Sequence, residues 1–271
     1  ANYSMFALGT TALVPDASSL VGLVADAIKA TGNPIMIRGH TDSLPYGDPR
    51  AMNNWMLSSG RAEARTMILN ETFALSNGVA IPKLGLGTWR IPDEEVARVV
   101  QAALGAGYRH VDTAQAYENE RGVGEGLRAS GVAREEVFVT TKLAAECKSF
   151  DEAQDRIDGS LKALGLDHID LMLIHSPQPW AEFREGEHFF EGNLKAWRAL
   201  EEAYRAGKLR AIGVSNFEQA DLDNLLDHGS VAPMVNQVLA HVGNMPFDLM
   251  DYARSNGILV EAYSPVAHGA V

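Results

Sequence analysis

From Leu84 onward, short apolar segments alternate with amphipathic segments, and this rhythm restricts the fold more than any other feature of the sequence. Alternating strands and helices build a parallel sheet with right-handed crossovers. The segments that we interpret as strands are 84–89, 110–114, 137–143, 169–175, 211–216, 235–241 and 259–265. They predict an α/β fold, a (β/α)8 TIM barrel over residues 71–271 that lacks its eighth strand.

An open, doubly wound sheet is the alternative that the same alternation permits. Such a sheet usually joins its first strand to a helix through the pattern G-x-G-x-x-G. Gly85 and Gly87 begin that pattern, but Arg90 stands where its third glycine belongs. The barrel is therefore the preferred interpretation.

Two of the helices between the strands can be described in more detail. The first follows Cys147, and Ser149 and Glu152 have the spacing of a capping box at its start. The second is expected to stop at Gly207. The apolar side chains expected to face the core are Ala153, Ile157, Leu161 and Leu164 in the first helix and Leu194, Trp197, Leu200 and Tyr204 in the second.

The net charge of −12 lies entirely in the second part of the chain, because residues 1–69 contain equal numbers of basic and acidic side chains. Such an acidic surface argues against nucleic acid as a partner. Cys147 is the only cysteine, which excludes an internal disulfide and suits a reducing compartment. No segment is apolar enough to span a membrane, and no secretory signal is visible at Ala1. We expect a cytoplasmic location, or a periplasmic one if the N-terminal segment governs it.

Polar side chains end one predicted strand after another, where a barrel of this kind has its chemistry. Taken singly, His175 can be a hydrogen-bonded core histidine, and Asp112 with Lys142 can be a structural ion pair. Polar side chains recur at the ends of successive strands and would converge at one end of the barrel, its mouth. This recurrence favours a functional site instead. The side chains concerned are Asp112, Tyr117, Lys142, His175, Ser215, Asn216, Gln237 and Tyr263.

Reduction of a carbonyl group supplies a chemical reason for this set. Hydride addition needs a proton donor for the developing alkoxide, and a tyrosine, with an intrinsic pKa of about 10, can serve beside an ammonium. We expect Tyr117 to donate the proton, Lys142 to be the cation and Asp112 to hold Lys142. His175 would orient the carbonyl and stabilise its charge. The hydroxyl group of Ser215 and the amide groups of Asn216 and Gln237 could hold a carboxamide. Tyr263 offers an aromatic face on which a ring could stack.

These residues lie in short motifs that follow one another along the chain: GLGTW (85–89), YRHVDTA (108–114) with Tyr117, TK (141–142), LIHSP (173–177), GVSNF (213–217), NQ (236–237) and AYSP (262–265). From about residue 72 to 271 the chain thereby resembles the aldo-keto reductases, most nearly the prokaryotic branch that includes diketogluconate reductases. The resemblance implies an oxidoreductase that transfers hydride from a nicotinamide cofactor to an aldehyde or ketone. It implies NADP, with NAD as the alternative, and a diketogluconate or another small carbonyl compound as substrate.

The resemblance also assigns roles to residues, and it implies no metal ligand. The catalytic tetrad would be Asp112, Tyr117, Lys142 and His175. The substrate would contact Trp89, His175 and Trp180. The cofactor would be bound by Gly87, Thr88, Trp89, Ser215, Asn216, Gln237, Tyr263, Ser264 and Pro265.

The sequence departs from the family in two places. Leu239 and Ala240 precede His241, where the family has an acidic residue and an aromatic one, so we expect a looser substrate side of the pocket. The family also continues beyond Val271 into an eighth strand and closing helices, which carry a Lys/Ser/Arg cluster that binds the adenosine phosphate of the cofactor. We therefore expect weaker cofactor binding and open edges on the first and seventh strands. Nothing in residues 1–70 is expected to replace the missing strand, although the strand at 35–37 could in principle pair with an open edge.

Residues 1–70 show a different pattern, with helices at 20–28 and 55–69 on either side of the strand at 35–37. The motifs IRGHTD (37–42) and NWMLS (54–58), followed by Arg61, resemble an OmpA/MotB-type peptidoglycan-binding domain. The resemblance implies that Asp42 and Arg61 read the ammonium and carboxylate of a peptide stem. A turn-capping aspartate and a surface arginine are the ordinary alternative. The chain is then a reductase, a non-catalytic wall-binding protein, or a fusion of two fragments with impaired activity.

Overall fold

A computed structural model describes residues 35–37, for which only the backbone is described, together with 69, 71–186 and 188–267. The strands are β1 Ile35–Ile37, β2 Thr72–Ala74, β3 Ala80–Pro82, β4 Leu86–Gly87, β5 His110–Asp112, β6 Phe138–Leu143, β7 Leu171–Ile174, β8 Ile212–Ser215, β9 Val235–Leu239 and β10 Leu259–Tyr263. The helices are α1 Asp93–Gly105, α2 Glu120–Ala129, α3 Phe150–Leu164, α4 Phe190–Arg205, α5 Gln219–His228 and α6 Phe247–Ser255. Short 3-10 turns cover Gln115–Tyr117, Arg134–Glu136 and Trp180–Glu182.

The main sheet contains eight strands in the order β1-β10-β9-β8-β7-β6-β5-β4, and every neighbouring pair is parallel. All seven predicted strands are present, each shorter than predicted. From β4 to β10 each strand lies beside its successor in the chain, without the reversal of order that defines a doubly wound sheet. The barrel-type winding that we predicted is therefore confirmed. No pairing joins β1 to β4 within the described part of the chain, so the sheet has two edges.

Strand β1 pairs with the open edge of the seventh predicted strand, the less favoured of the two alternatives, and does not close the barrel within the described residues. Its backbone pairs in parallel with β10, with Ile35 opposite Val260 and Ile37 opposite Ala262. The physical reason is the unpaired row of backbone groups along β10, which any short extended segment can satisfy. The predicted helix at 20–28 lies outside the described residues, as does all of 55–69 except Leu69, which is helical.

A hairpin of β2 and β3, which the sequence did not predict, precedes the barrel strands. The two strands are antiparallel, and Gly78 in their turn has a φ of +84° that suits glycine. Leu75 and Ile81 bury their side chains in the core. Asn77 donates a hydrogen bond to the Arg210 carbonyl at 2.9 Å. The hairpin is thereby fastened to the segment that leads into β8.

The helices mostly bury the faces that their periodicity predicts. In α3, Ala153, Ile157 and Leu164 are buried. The capping box predicted at the start of this helix is wrong, because Ser149 forms no side-chain cap and Glu152 instead bonds to Arg156 at 2.8 Å.

The end of α4 agrees with the prediction, since Gly207 has a φ of +78° two residues after the helix ends at Arg205. A capping box does form at α5, between Glu218 and Asp221. None of the described helices has the length and hydropathy needed to cross a bilayer.

Candidate active site

A buried ion pair lies at the carboxyl ends of β5 and β6. Lys142 Nζ is 2.5 Å from Asp112 Oδ1, and both side chains are 1% exposed. The ammonium also donates to the Thr113 carbonyl oxygen at 3.1 Å. Two charges taken out of water are tolerated only when their geometry and hydrogen bonds compensate the loss of hydration. These contacts therefore fix the position of the Lys142 ammonium at the carboxyl ends of the strands.

Tyr117 lies beside this pair, at the end of the 3-10 turn that follows β5. Lys142 Nζ donates to the Tyr117 hydroxyl oxygen at 3.3 Å and lies 5.0 Å from the centre of its ring. The tyrosine side chain is only partly buried. Its hydroxyl group thus combines contact with a cation and access from the mouth.

His175 follows β7 directly and completes the group. Its ring lies edge-on to the ring of Tyr117, with 5.6 Å between the centroids. Burial, and then the charge of Lys142, lower the pKa of His175 to about 3, against the opposite effect of Asp112. The imidazole is therefore neutral near pH 7. Its Nδ1 has no hydrogen-bond partner among the described residues.

Asn119, which the sequence interpretation missed, holds the loops around Tyr117 together. Its amide nitrogen donates to the carbonyl oxygens of Thr88 and Ile91, both at 2.9 Å. Its oxygen accepts from the Thr113 hydroxyl at 2.7 Å. An asparagine just before a helix usually caps that helix. The local sequence therefore carries no signal that Asn119 instead joins the loops after β4 and β5.

A second polar cluster lies at the ends of β8, β9 and β10. Ser215 Oγ donates to the Gln237 carbonyl at 2.8 Å, and Tyr263 donates its hydroxyl to Asn216 Oδ1 at 2.9 Å. Asn216, at a φ of +63°, donates to the His175 carbonyl at 3.0 Å. Burial raises the pKa of Tyr263, so this phenol stays protonated near pH 7. The side chain of Asn216 thus joins the second cluster to the backbone of His175 in the first cluster.

The remaining predicted site residues lie around the same mouth. Thr88 is buried and its hydroxyl donates to the Asp112 carbonyl at 3.1 Å. Trp89 and Trp180 are each 40% exposed, and the ring of Trp180 lies edge-on to His175 at 5.0 Å. Gly87 and Ser264 are buried, and Pro265 is half-buried.

The structure therefore brings the predicted reductase residues to one end of the sheet. Asp42 and Arg61, predicted to bind peptidoglycan, lie outside the described residues. No group of three or more histidine, cysteine, aspartate or glutamate side chains within the described ranges is arranged to hold a metal ion.

The fold and the family matches of this chain are those of an NAD(P)H-dependent oxidoreductase. The Aldo/keto reductase family model matches residues 83–271, and the chain belongs to this family. A second match, to the OmpA family, covers residues 5–88. The two matches overlap over the first barrel strand, and the N-terminal part is thus similar to OmpA proteins, as its motifs predicted.

Individual relatives agree with the family match. Glyoxal reductase of Bacillus subtilis is 43% identical over 202 residues, which are 74% of this chain and 69% of the relative. A solved aldo/keto reductase of Brucella melitensis is 39% identical with a TM-score of 0.67 and covers 73% of each chain. The Bombyx mori aldo-keto reductase in complex with NADP is 36% identical with a TM-score of 0.65, over 72% of this chain and 66% of that one. The chain thus spans part of the length of each relative.

The cofactor of this family is a nicotinamide dinucleotide, and NADP is bound in the Bombyx mori relative. The second polar cluster fits the nicotinamide end of such a group. Ser215, Asn216 and Gln237 carry a hydroxyl and two amides, the types of group that bind a carboxamide, and in this structure they donate to other protein atoms. Tyr263 adds a half-buried aromatic ring beside them. The residue types of this cluster are therefore compatible with a nicotinamide carboxamide.

Proposed function

We propose that this chain reduces the carbonyl group of a small aldehyde or ketone, with NADPH as the hydride donor and NADH as the alternative. The observation that carries the proposal is the contact between Lys142 Nζ and the Tyr117 hydroxyl, beside a histidine that burial keeps neutral. A hydroxyl that can deliver a proton thereby lies next to a group that can orient a carbonyl oxygen. Those are the two functions that the enzyme must supply to the substrate oxygen.

Tyr117 is the proposed proton donor. The proton passes from its hydroxyl group to the oxygen of the substrate carbonyl as that oxygen becomes an alcohol. The negative charge left on the tyrosine oxygen is stabilised by the ammonium of Lys142, 3.3 Å away. Asp112 keeps that ammonium in place at 2.5 Å. Solvent then returns a proton to the tyrosine, which is accessible because its side chain is only partly buried.

His175 orients the substrate in this proposal. A neutral imidazole has one N–H, which can donate to the carbonyl oxygen and stabilise the charge that develops there. A charged imidazolium would repel the neighbouring ammonium of Lys142, and that repulsion is one of the causes of its low pKa. The loss of a preorganised donor of this kind typically lowers kcat by about 10²–10³-fold.

The bound cofactor would supply hydride to the carbonyl carbon. Ser215, Asn216 and Gln237 would hold its carboxamide, and Tyr263 would present its ring to the nicotinamide. The other residues proposed to contact the cofactor are Gly87, Thr88, Trp89, Ser264 and Pro265. The half-exposed rings of Trp89 and Trp180, with His175, would line the substrate cleft. Small carbonyl compounds are the proposed substrates, including dicarbonyls such as the one named in glyoxal reductase and diketogluconates.

The test is oxidation of NADPH by the purified full chain with glyoxal, aromatic aldehydes and a diketogluconate. Tyr117→Phe should abolish turnover. Its affinity for NADPH, measured by fluorescence titration, should stay close to that of the wild type. Tyr204→Phe, on α4, is a matched control that should keep its activity. Undiminished turnover in Tyr117→Phe would refute the proposed role. A folded wild type that binds NADPH without turnover would instead favour a fusion with impaired activity.

A second candidate function rests on the OmpA match over residues 5–88. In this proposal Asp42 and Arg61 bind the zwitterionic amino acid of a peptidoglycan stem. The chain should then be retained on purified peptidoglycan, and Arg61→Ala should remove that retention. Equal retention of the wild type and the variant would contradict it. The assignment of residues 1–70 and 71–271 to two separate units belongs to the same proposal.

A further inference from the structure

The loop between β7 and α4 carries one wall of the candidate substrate cleft. It comprises residues 176–186 with 188 and 189, and is called here the β7–α4 loop. Trp180 on this loop lies edge-on to His175 at 5.0 Å, and Phe183 packs on Trp180 at 5.4 Å. The position of the loop therefore determines where an aromatic ring stands relative to the histidine.

Lys148, in the segment between β6 and α3, joins the two ends of this loop. Its Nζ donates to the carbonyl oxygen of Ser176, where the loop begins, at 3.2 Å. It also donates to Asn193 Oδ1, in the first turn of α4 just after the loop ends, at 2.7 Å. One ammonium thus connects two points that the loop separates.

Asn193 and Gly192 complete the same arrangement. The fully buried Asn193 donates from Nδ2 to the Pro177 carbonyl at 2.9 Å and to the His188 carbonyl at 3.2 Å. A Cβ at Gly192 would lie 2.8 Å from the Cβ of Lys148. Only glycine therefore lets the lysine stem pack against α4. Lys148, Gly192 and Asn193 are called the loop clasp below.

The charge of Lys148 has an unusual setting for a lysine outside the tetrad. Both hydrogen-bond acceptors of its ammonium are neutral oxygens, the Ser176 carbonyl and the Asn193 side-chain amide. Burial lowers the pKa of Lys148 to about 8, although Cys147, Glu146 and Asp221 act in the opposite direction. A partly desolvated ammonium costs free energy unless its hydrogen bonds compensate for the lost hydration. Here those bonds are the ones that close the loop.

We propose that Lys148 is a positioning residue for the substrate, because it closes the β7–α4 loop and thereby holds Trp180 beside His175. The substrate part of this inference rests on the proposed carbonyl reduction. Lys148 touches neither Tyr117 nor Asp112 in the described contacts, so it acts through the loop alone. A substrate large enough to reach Trp180 should depend on Lys148, and the smallest dicarbonyl should depend on it little.

The first test does not require turnover. Lys148→Met keeps the aliphatic stem and removes the donors, Lys148→Arg restores donors, and Lys162→Met on the exposed face of α3 is the matched control. Amide hydrogen exchange over residues 178–186 should become about tenfold faster or more in Lys148→Met, as the loss of a charge-assisted hydrogen bond predicts. Lys148→Arg should recover part of the protection, and Lys162→Met should match the wild type. Unchanged exchange in Lys148→Met would overturn the proposal.

The second test separates binding from chemistry. In Lys148→Met the KM for an aromatic aldehyde should rise about tenfold, the equivalent of about 1.4 kcal/mol, while kcat with glyoxal stays near the wild-type value. Faster exchange without any change in KM would show that the loop is held but does not position substrate, which also overturns the proposal. Absence of turnover in the wild type would refute the proposed function, and the exchange result would still decide whether Lys148 closes the loop.

Discussion

Gln237 donates its side-chain N–H to Asp112 Oδ2 at 3.2 Å, although the two residues are 125 positions apart in the chain. Lys142 bonds to the other oxygen of the same carboxylate, so both oxygens of Asp112 have a partner. Strands β5 and β9 are separated by three strands in the sheet order. Only a curled sheet can bring their side chains into contact. This hydrogen bond therefore joins the proposed cofactor cluster to the proposed catalytic group across the interior of the sheet.

Replacement of Gln237 by leucine should weaken both the fold and the site. The buried Asp112 Oδ2 would lose its donor, which typically costs about 1–3 kcal/mol of unfolding free energy. Turnover should fall as well, because Asp112 would no longer be held on both sides. Urea denaturation and NADPH oxidation measure the two effects. Gln154→Leu removes an exposed bond to Glu202 and is the control; equal stabilities of the two variants would contradict the expected role.

The ion pair of Asp112 and Lys142 should be costly to break from one side. Lys142→Met leaves a buried carboxylate without a counter-charge, and the expected loss of unfolding free energy is about 3–5 kcal/mol. Adding Asp112→Asn should recover part of that loss, because the remaining charge is removed. The comparison pair is Lys208 and Asp158, whose side chains are exposed. The distance from Lys208 Nζ to Asp158 Oδ1 is 2.5 Å. Lys208→Met should change stability by less than about 1 kcal/mol, and an equal loss in both lysine variants would refute the argument.

His175 should make the stability depend on pH in one direction. The pKa of His175 in the folded chain is lowered to about 3, whereas an unfolded histidine titrates at about 6.5. Between these values the unfolded chain binds a proton that the folded chain does not, so the free energy of unfolding falls as the pH is lowered. Above about pH 6.5 the effect vanishes. Denaturation of His175→Gln should show a flatter profile in this window than the wild type or His228→Gln, and identical profiles would exclude the effect.

Strand β1 should protect the backbone of β10. Consecutive N–H groups of a strand point to opposite edges, so only one of the variants Met36→Pro and Ile37→Pro removes a hydrogen bond to β10. That variant should speed amide exchange over residues 260–262 and promote concentration-dependent association, since an open edge pairs with other chains. Its neighbour serves as the control. Exchange that is unchanged in both variants would show that β1 does not cover this edge in solution.

The barrel strands were predictable because most of them are short, largely apolar, buried runs with a polar residue at or near the carboxyl end. Leu171 and Ile174, for example, are fully buried, and His175 follows them. The order of the strands followed from the barrel interpretation, in which each parallel strand lies beside its successor in the chain. For the same reason the order of the strands in the sequence was enough to place Asp112 and Lys142 on neighbouring strands.

Other contacts depend on distances that a sequence does not contain. The bond between Gln237 and Asp112 requires the curvature of the sheet, so the sequence indicated Gln237 only as a cofactor ligand. Glu152 has the spacing of a capping residue, yet Arg156 one turn later competes for its carboxylate. The clasp of Lys148 and Asn193 joins residues 45 positions apart, and neither belongs to a motif.

The pairing of Ile35 with Val260 has a consequence for how the molecule acquires its structure. The entropy of closing a loop grows only slowly with its length, so this contact is tolerable at equilibrium. Folding rates, however, fall as contacting residues lie farther apart in sequence. The edge of β10 is therefore expected to be covered late, after the strands from β4 to β9 have paired with their chain neighbours. During synthesis, β1 leaves the ribosome long before β10 has been made, so these two strands can pair only late in synthesis.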